Sequence, residues 1–229
     1  MVAGDPRLLP LAIRDARSVL LVVAHPDDEC LFFGPSILNM WGDRSVGRAL
    51  LVLSSGDYDG LGEVRRKEVK GSCDTLGVST DRCVVLEHRD LQDDPKKWWN
   101  EAVVEGMLKR YVDSWHIDLI ITFDEGGISG HINHKAVNAG VRKYISENEH
   151  HPPAYAVQTK ILPRKYSSLI DLIPTSIPFS LRILEALLFP PPSSQGEYCS
   201  YCRRPLRRQG FDREQLEQLP AHQSRVPPA

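Results

Sequence analysis

The sequence has little net charge and no long apolar run. Lys plus Arg number 28 against 30 for Asp plus Glu, a formal net charge of −2 in 229 residues. There is therefore no overall positive field to attract nucleic acid. No stretch reaches the roughly 18 uninterrupted apolar residues of a membrane-spanning helix, and residues 1–15 lack the apolar core of a signal peptide. The sequence predicts a soluble protein with no nucleic-acid partner.

Cysteine is also too sparse for a disulfide-stabilised fold. The five cysteines do not look like a disulfide framework, so we expect free thiols and a reducing compartment. Cys73 is expected on the apolar face of a helix, where a free thiol packs as a small hydrophobic group. Cys199 and Cys202 form a CxxC pair without the second pair of ligands that a structural zinc site needs. We interpret them as idle thiols.

Proline is scarce in the first two thirds of the chain. Five of the 17 prolines precede residue 152, and the other twelve lie at residues 152–229. Because proline breaks helices and lacks the N–H that a strand donates, regular structure is expected mainly before about residue 160. We divide the chain into an N-terminal extension (1–17), a folded domain (18–187) and a divergent, disordered tail rich in Pro, Arg and Gln (188–229).

Apolar strands alternate with amphipathic helices in the folded part. Strands are predicted at residues 18–24, 48–53, 83–87, 118–123 and 154–159, and helices at residues 30–41, 63–76, 103–115 and 134–147. The first strands are continuous runs of Val and Leu, as expected when both faces of a strand are buried. The alternation predicts an α/β fold, a Rossmann-like three-layer sandwich with a mainly parallel sheet.

Polar clusters follow the first and the fourth predicted strands. They contain the following acids and histidines: His25, Asp27, Asp28, His131 and His134. Ligands of parallel sheets bind beyond the carboxyl ends of the strands, so the two clusters are expected to meet. Two histidines and a carboxylate make an open metal site, a further carboxylate could accept a proton from water, and a further histidine could stabilise an oxyanion as imidazolium. This set suits metal-assisted hydrolysis of an amide or ester.

Simpler explanations exist for each cluster taken alone. The paired aspartates, Asp27 and Asp28, could cap the helix that follows them, since Asp is favoured at that position. His131 and His134 could be exposed residues of a loop and a helix start. The catalytic interpretation depends on both clusters lying at the same edge of the sheet.

The motifs resemble those of the GlcNAc-phosphatidylinositol de-N-acetylase family, the LmbE-like hydrolases. The HPDDE motif at residues 25–29 and the GHINH motif at residues 130–134 carry the resemblance. The glycine-rich loop and Arg/Glu helix at residues 54–68 extend it. Asp90, Asp93, Asp94 and Pro95 in the stretch 90–95 fit the eukaryotic branch of the family. The resemblance covers about residues 18–170.

The resemblance implies roles for individual residues. It implies a divalent metal, usually zinc, with these ligands: His25, Asp28 and His134. Asp27 would be the general base, and His131 would stabilise the tetrahedral intermediate. Arg65 is a candidate for binding the phosphate of the substrate, and the alternative is an ion pair with Glu68 on a solvated helix face.

The implied reaction removes acetate from N-acetylglucosaminyl-phosphatidylinositol, the second step of glycosylphosphatidylinositol (GPI) anchor synthesis. The implied location is the cytoplasmic face of the endoplasmic reticulum membrane. We expect peripheral membrane contact through the apolar segment from Leu169 to Phe189, with a cytoplasmic location as the alternative. Two other functions stay open: deacetylation of a soluble N-acetylglucosamine conjugate, and a truncated, catalytically silent variant that binds lipid or a partner.

Overall fold

The computed structural model describes residues 9–40, 46–160 and 202–205, together with residues 176–177, 180–181, 183–184 and 188. Most of the predicted tail and most of the apolar segment 169–189 lie outside these residues. Among the helices that are described, none has the length and apolar content needed to cross a bilayer.

A single sheet forms the centre of the fold. Its strands are β1 (Ser18–Val23), β2 (Gly47–Val52), β3 (Cys83–Val85), β4 (Leu119–Phe123), β5 (Ala154–Val157) and β6 (Cys202–Pro205). The order is β3-β2-β1-β4-β5-β6. Strands β1 to β5 are parallel, and β6 is antiparallel to β5. This confirms the predicted α/β fold with a mainly parallel sheet.

The helices between and beside these strands have the following bounds. They are α1 (Leu11–Arg14), α2 (Gly34–Met40), α3 (Gly62–Leu76), α4 (Glu101–Trp115), α5 (Gly127–Gly130) and α6 (Ile132–Glu147). A π-helical turn, Glu29–Phe33, precedes α2. Helix α1 lies in the predicted N-terminal extension, where its Ile13 is buried. Strand β6 lies in the predicted disordered tail, so these four residues differ from that expectation. Disorder of the rest of the tail stays a prediction.

The chain order reverses between β1 and β4. Strand β1 pairs with β2 on one side and with β4 on the other, and every residue of β4 is buried. In open parallel sheets the ligand crevice forms beyond the carboxyl ends of the two strands at such a reversal. Both polar clusters leave the sheet at this point, which brings them together across more than a hundred residues.

Cys73 and Cys83 correct the expectation of free thiols. Cys73 of α3 is joined by a disulfide bond to Cys83 of β3. The short connection between this helix and this strand brings the two Cα atoms to 6.4 Å, within the range that a disulfide spans. Composition did not reveal the pair, because it depends on how the helix packs back onto the sheet.

Helices α4 and α6 pack closely through Gly140. A Cβ atom at this position would lie 2.3 Å from Cγ1 of Val104, a fully buried residue of α4. Gly140→Ala is therefore expected to lower the free energy of unfolding by about 1–3 kcal/mol, the usual effect of overpacking a core. Gly106→Ala is the matched control. It is on the exposed side of α4 with open space around it, so it should raise stability by up to about 1 kcal/mol.

Urea unfolding of the two variants beside the wild-type chain checks this prediction. Equal stability of Gly140→Ala and the wild type would show that the α4–α6 contact is looser than the structure has it.

Candidate active site

Asp28 organises the turn after β1. Its side chain is almost fully buried, and its Oδ2 atom accepts hydrogen bonds from the backbone N–H groups of Ala24 and His25, at 3.1 and 2.8 Å. These bonds hold the carboxylate inside the turn and leave Oδ1 directed towards the second cluster. Asp28 therefore does not act as a side-chain cap of the next helix; no such bond is present at the start of the π-helical turn.

The loop after β4 is held by Asp124. Its Oδ1 accepts the N–H groups of Gly126 and Gly127, at 3.0 and 3.1 Å, and its Oδ2 accepts the N–H of Thr159 at 2.6 Å. Gly127 has a φ of 63°, and a Cβ atom there would lie 2.9 Å from the Cβ of His134. The position therefore requires glycine. In this conformation the Gly127 carbonyl accepts a hydrogen bond from His134 Nδ1 at 3.0 Å.

Aromatic rings fix the plane of the His134 imidazole. Phe123 stacks on it with a centroid separation of 4.2 Å and an interplanar angle of 2°. Phe32 meets the same ring edge-on at 5.8 Å. Because its face is covered and its Nδ1–H donates to Gly127, His134 turns Nε2 towards the first cluster.

Three ligand atoms converge at the carboxyl ends of β1 and β4. His134 Nε2 lies 3.2 Å from Asp28 Oδ1 and 3.3 Å from His25 Nδ1, and His25 Nδ1 lies 3.8 Å from Asp28 Oδ2. His25 Nε2 lies 3.1 Å from the carboxylate of Asp93, which places the His25 proton on Nε2. In the neutral state each of the two rings then directs a lone pair at a buried carboxylate, an arrangement that needs a cation or a proton between them.

This donor set fits a divalent metal. Ligands at 2.0–2.1 Å around a tetrahedral zinc ion are about 3.3 Å apart, close to the separations of His25, Asp28 and His134. A second set is also compact: ligand atoms of His25, His131 and His134 all lie within 4.8 Å of one another. The structure therefore contains histidines that could bind a metal, and it brings together all of the ligands that the resemblance implied.

His131 lies beside this site at the start of α6. Its Nδ1 accepts the backbone N–H of Asn133 at 3.3 Å and so caps the helix. Burial, followed by the neighbouring His25 and His134, lowers the pKa of His131. A neutral ring with Nδ1 as acceptor carries its proton on Nε2. The lowered pKa thus favours a neutral Nε2–H donor over the imidazolium that the sequence left possible.

Asp27 has an unusual backbone and a perturbed carboxyl. Its φ is 110°, a region that costs energy for any residue other than glycine and that is often found at active sites. Its N–H donates to Glu29 Oε2 at 3.0 Å, which holds this conformation. Burial, then the charge of Asp28, raises the pKa of Asp27, while Arg65 acts in the opposite direction. A raised pKa suits a group that must take up and release a proton.

Arg65 contacts the carboxylate of Asp27. Its Nη2 lies 3.4 Å from Asp27 Oδ2, and its Nη1 donates to the Gly56 carbonyl at 3.2 Å. These are its partners, rather than Glu68, which was the alternative to a phosphate in the sequence analysis. Both Arg65 and Asp27 line a cleft of about 300 Å³, whose wall also includes His131, Tyr58 and Phe32. Arg65 can thus reach a bound molecule, and its role towards a phosphate stays a prediction.

Two polar contacts of the site were not predicted from the sequence. Asp93 was noted only as a residue typical of one branch of the family, and Asn133 only as part of a motif. Both lie against His25 Nε2, each at 3.1 Å. The hydrogen bond with His25 is the main cause that lowers the pKa of Asp93. Nothing in the local pattern of residues 88–100 indicates that this loop folds onto the turn after β1.

Comparisons with known proteins agree with this geometry. Residues 20–145 match the family model for the GlcNAc-PI de-N-acetylases. The N-acetylglucosaminyl-phosphatidylinositol de-N-acetylase of Bos taurus is 42% identical over 173 residues, covering 74% of this chain and 66% of that protein. A probable enzyme of the same name from Schizosaccharomyces pombe is 35% identical, covering 70% of this chain and 64% of the relative. The chain thus spans just under two thirds of the length of these relatives.

A solved structure shows the same fold. The N,N'-diacetylchitobiose deacetylase of Pyrococcus horikoshii superposes with a TM-score of 0.54 at 16% sequence identity, covering 82% of this chain and 78% of that protein. The parallel sheet with its flanking helices is therefore a fold that this chain shares with that protein.

Proposed function

Because the chain belongs to the GlcNAc-PI de-N-acetylase family, we propose that it is a metal-dependent hydrolase that removes acetate from N-acetylglucosaminyl-phosphatidylinositol, the second step of GPI-anchor synthesis. The observation that carries the proposal is the convergence of His25 Nδ1, Asp28 Oδ1 and His134 Nε2 beside Asp27 in one cleft. Family membership supplies the substrate class, and the cleft supplies the groups that amide hydrolysis needs.

His25, Asp28 and His134 would hold the metal, for which we propose zinc. A divalent metal bound there would supply Lewis acidity and would lower the pKa of water far below its ordinary value, towards about 7. The histidine nitrogens and the carboxylate oxygen are ligands that zinc prefers. Gly127, Phe123 and the turn around Asp28 fix the orientation of those side chains, which reduces the ordering that metal binding requires.

The remaining groups move the proton and stabilise charge. Water adds to the carbonyl carbon of the acetamide, Asp27 accepts the proton that water loses, and the same carboxyl returns it to the sugar nitrogen as the C–N bond breaks. The products are acetate and the free amine. His131, as a neutral Nε2–H donor, would hydrogen-bond the carbonyl oxygen when it becomes negative. Arg65 would orient Asp27 and contact the substrate phosphate.

Because the proposed substrate is a glycolipid, the protein would act at a membrane surface. We propose that this surface is the cytoplasmic face of the endoplasmic reticulum membrane. Contact through the apolar segment 169–189 is supported by its described residues. The following four are helical and more than half exposed: Ile177, Leu181, Leu184 and Leu188. A spacing of four, three and four is the one that places residues on a single face of an amphipathic helix, which suits a segment lying in the interface plane.

Acetate release by the full chain tests this proposal. The assay compares synthetic GlcNAc-phosphatidylinositol in detergent micelles with its water-soluble headgroup, GlcNAc-inositol phosphate, with zinc supplied. We expect turnover of the glycolipid. Turnover of the soluble compound with none of the glycolipid would instead establish a deacetylase of soluble conjugates. No turnover of either, with zinc bound, would make the chain a silent variant.

A further inference from the structure

The loop between β3 and α4 lies against the proposed metal site. Asp93 belongs to this loop, and its Oδ1 is 3.1 Å from His25 Nε2. Its side chain is only 11% exposed, and it also accepts a hydrogen bond from the backbone of Tyr58. The carboxylate is therefore held at the outer side of the His25 ring, opposite the nitrogen that faces Asp28 and His134.

Asn133 fastens the same loop to α6. With its amide oxygen turned towards His25, it accepts from Nε2 at 3.1 Å, and its amide nitrogen donates to the carbonyls of Asp94 and Lys97 at 3.3 and 3.2 Å. Asn133 is fully buried, so these bonds are shielded from water. On the other side of the loop, the buried ring of Trp99 donates from Nε1 to the Gln92 carbonyl at 2.8 Å.

These contacts determine which nitrogen of His25 is available. A neutral imidazole carries one proton, and both acceptors, Asp93 and Asn133, lie at Nε2. The proton is therefore held on Nε2, and the lone pair of Nδ1 points at Asp28 and His134. A carboxylate that accepts from the outer N–H of a metal-binding histidine also raises the basicity of the ring, and loss of such a partner commonly costs 10- to 100-fold in metal affinity.

We propose that Asp93 is a positioning residue of this site: it holds His25 in the Nε2–H tautomer and in the orientation that binds metal. The inference rests on the proposed function only in taking His25 as a metal ligand. It adds a residue that acts through His25 from a loop 68 positions away in the sequence, and it explains why this loop is fixed to α6.

The test is zinc affinity, measured by competition with a chromophoric chelator and without substrate. Asp93→Asn should weaken zinc binding by about 10- to 100-fold. Asp94→Asn is the matched control, because it removes the same charge one residue away, and Asp94 Oδ1 accepts only from the Lys96 N–H, a bond that asparagine can keep. Equal affinities of Asp93→Asn and wild type, equal losses in both variants, or a wild-type chain that binds no zinc would each overturn the proposal.

A second measurement does not depend on whether the variant folds. Nitrogen-15 NMR of the histidine side chains in the metal-free wild-type chain reports which His25 nitrogen carries the proton. We expect protonated Nε2 and unprotonated Nδ1, and the opposite tautomer would overturn the proposal. Because neither readout involves substrate, a chain that binds zinc but releases no acetate would refute the proposed function and leave the role of Asp93 standing.

Discussion

Asp27→Asn is expected to lower kcat for acetate release by about 10²- to 10⁴-fold, the usual contribution of a general base, while one metal ion per chain remains bound. Asparagine matches the aspartate in shape but cannot accept a proton from water. It also tolerates a positive φ better than most residues, so the φ of 110° at this position should survive the change.

Acetate release and metal content, measured on the same preparation, check this prediction. Asp74→Asn is the control, since it makes the same substitution on the exposed face of α3 outside the cleft and should leave both quantities unchanged. If Asp27→Asn kept activity within tenfold of the wild type, the proton acceptor would have to be another group.

His134→Gln is expected to abolish tight metal binding and to reduce acetate release by at least about a hundredfold. The reason is that the attacking water would lose the metal ion that lowers its pKa. In the wild type, stacking on Phe123 and the hydrogen bond to the Gly127 carbonyl fix the direction of the Nε2 lone pair. A glutamine side chain has no such lone pair and lacks the aromatic ring that stacks on Phe123. Equilibrium dialysis with zinc, beside the activity assay, measures both effects. The control is His150→Gln, an exposed histidine beyond α6.

Equilibrium dialysis with zinc and the activity assay also distinguish the two candidate sets of metal ligands, in which the third ligand beside His25 and His134 is either Asp28 or His131. If Asp28 is the third ligand, Asp28→Asn should lose the metal and His131→Gln should keep it while losing activity. The opposite result would favour the set of His25, His131 and His134. We expect the first outcome, because His131 already uses Nδ1 to cap α6, whereas Asp28 Oδ1 lies 3.2 Å from His134 Nε2.

The position of the site could be predicted from the sequence, because it depends on strand order and on motifs. Strands β1 and β4 are continuous apolar runs, and each is followed at once by acids and histidines, so a parallel sheet brings His25 and His134 together. Which nitrogen of each ring faces the other cluster could not be predicted. It depends on Gly127 and Asp93, which reach the rings through loop conformations that have no periodic pattern.

Other features escaped prediction for related reasons. The disulfide between Cys73 and Cys83 depends on the packing of α3 against β3, which a count of cysteines does not contain. For Arg65 the sequence left open a substrate phosphate and an ion pair with Glu68 on the same helix, whereas the side chain crosses to Asp27. In both cases the contact joins separate elements of the fold, which local spacing does not reveal.

The most direct test of the central claim is a zinc titration of the chelator-treated chain, with acetate release from GlcNAc-phosphatidylinositol measured at each point. We predict no turnover without metal and recovery that is complete at one equivalent of zinc per chain. Full turnover in the metal-free protein would contradict a metal-dependent mechanism. Zinc bound at one equivalent with no acetate released at any point would contradict the proposed reaction.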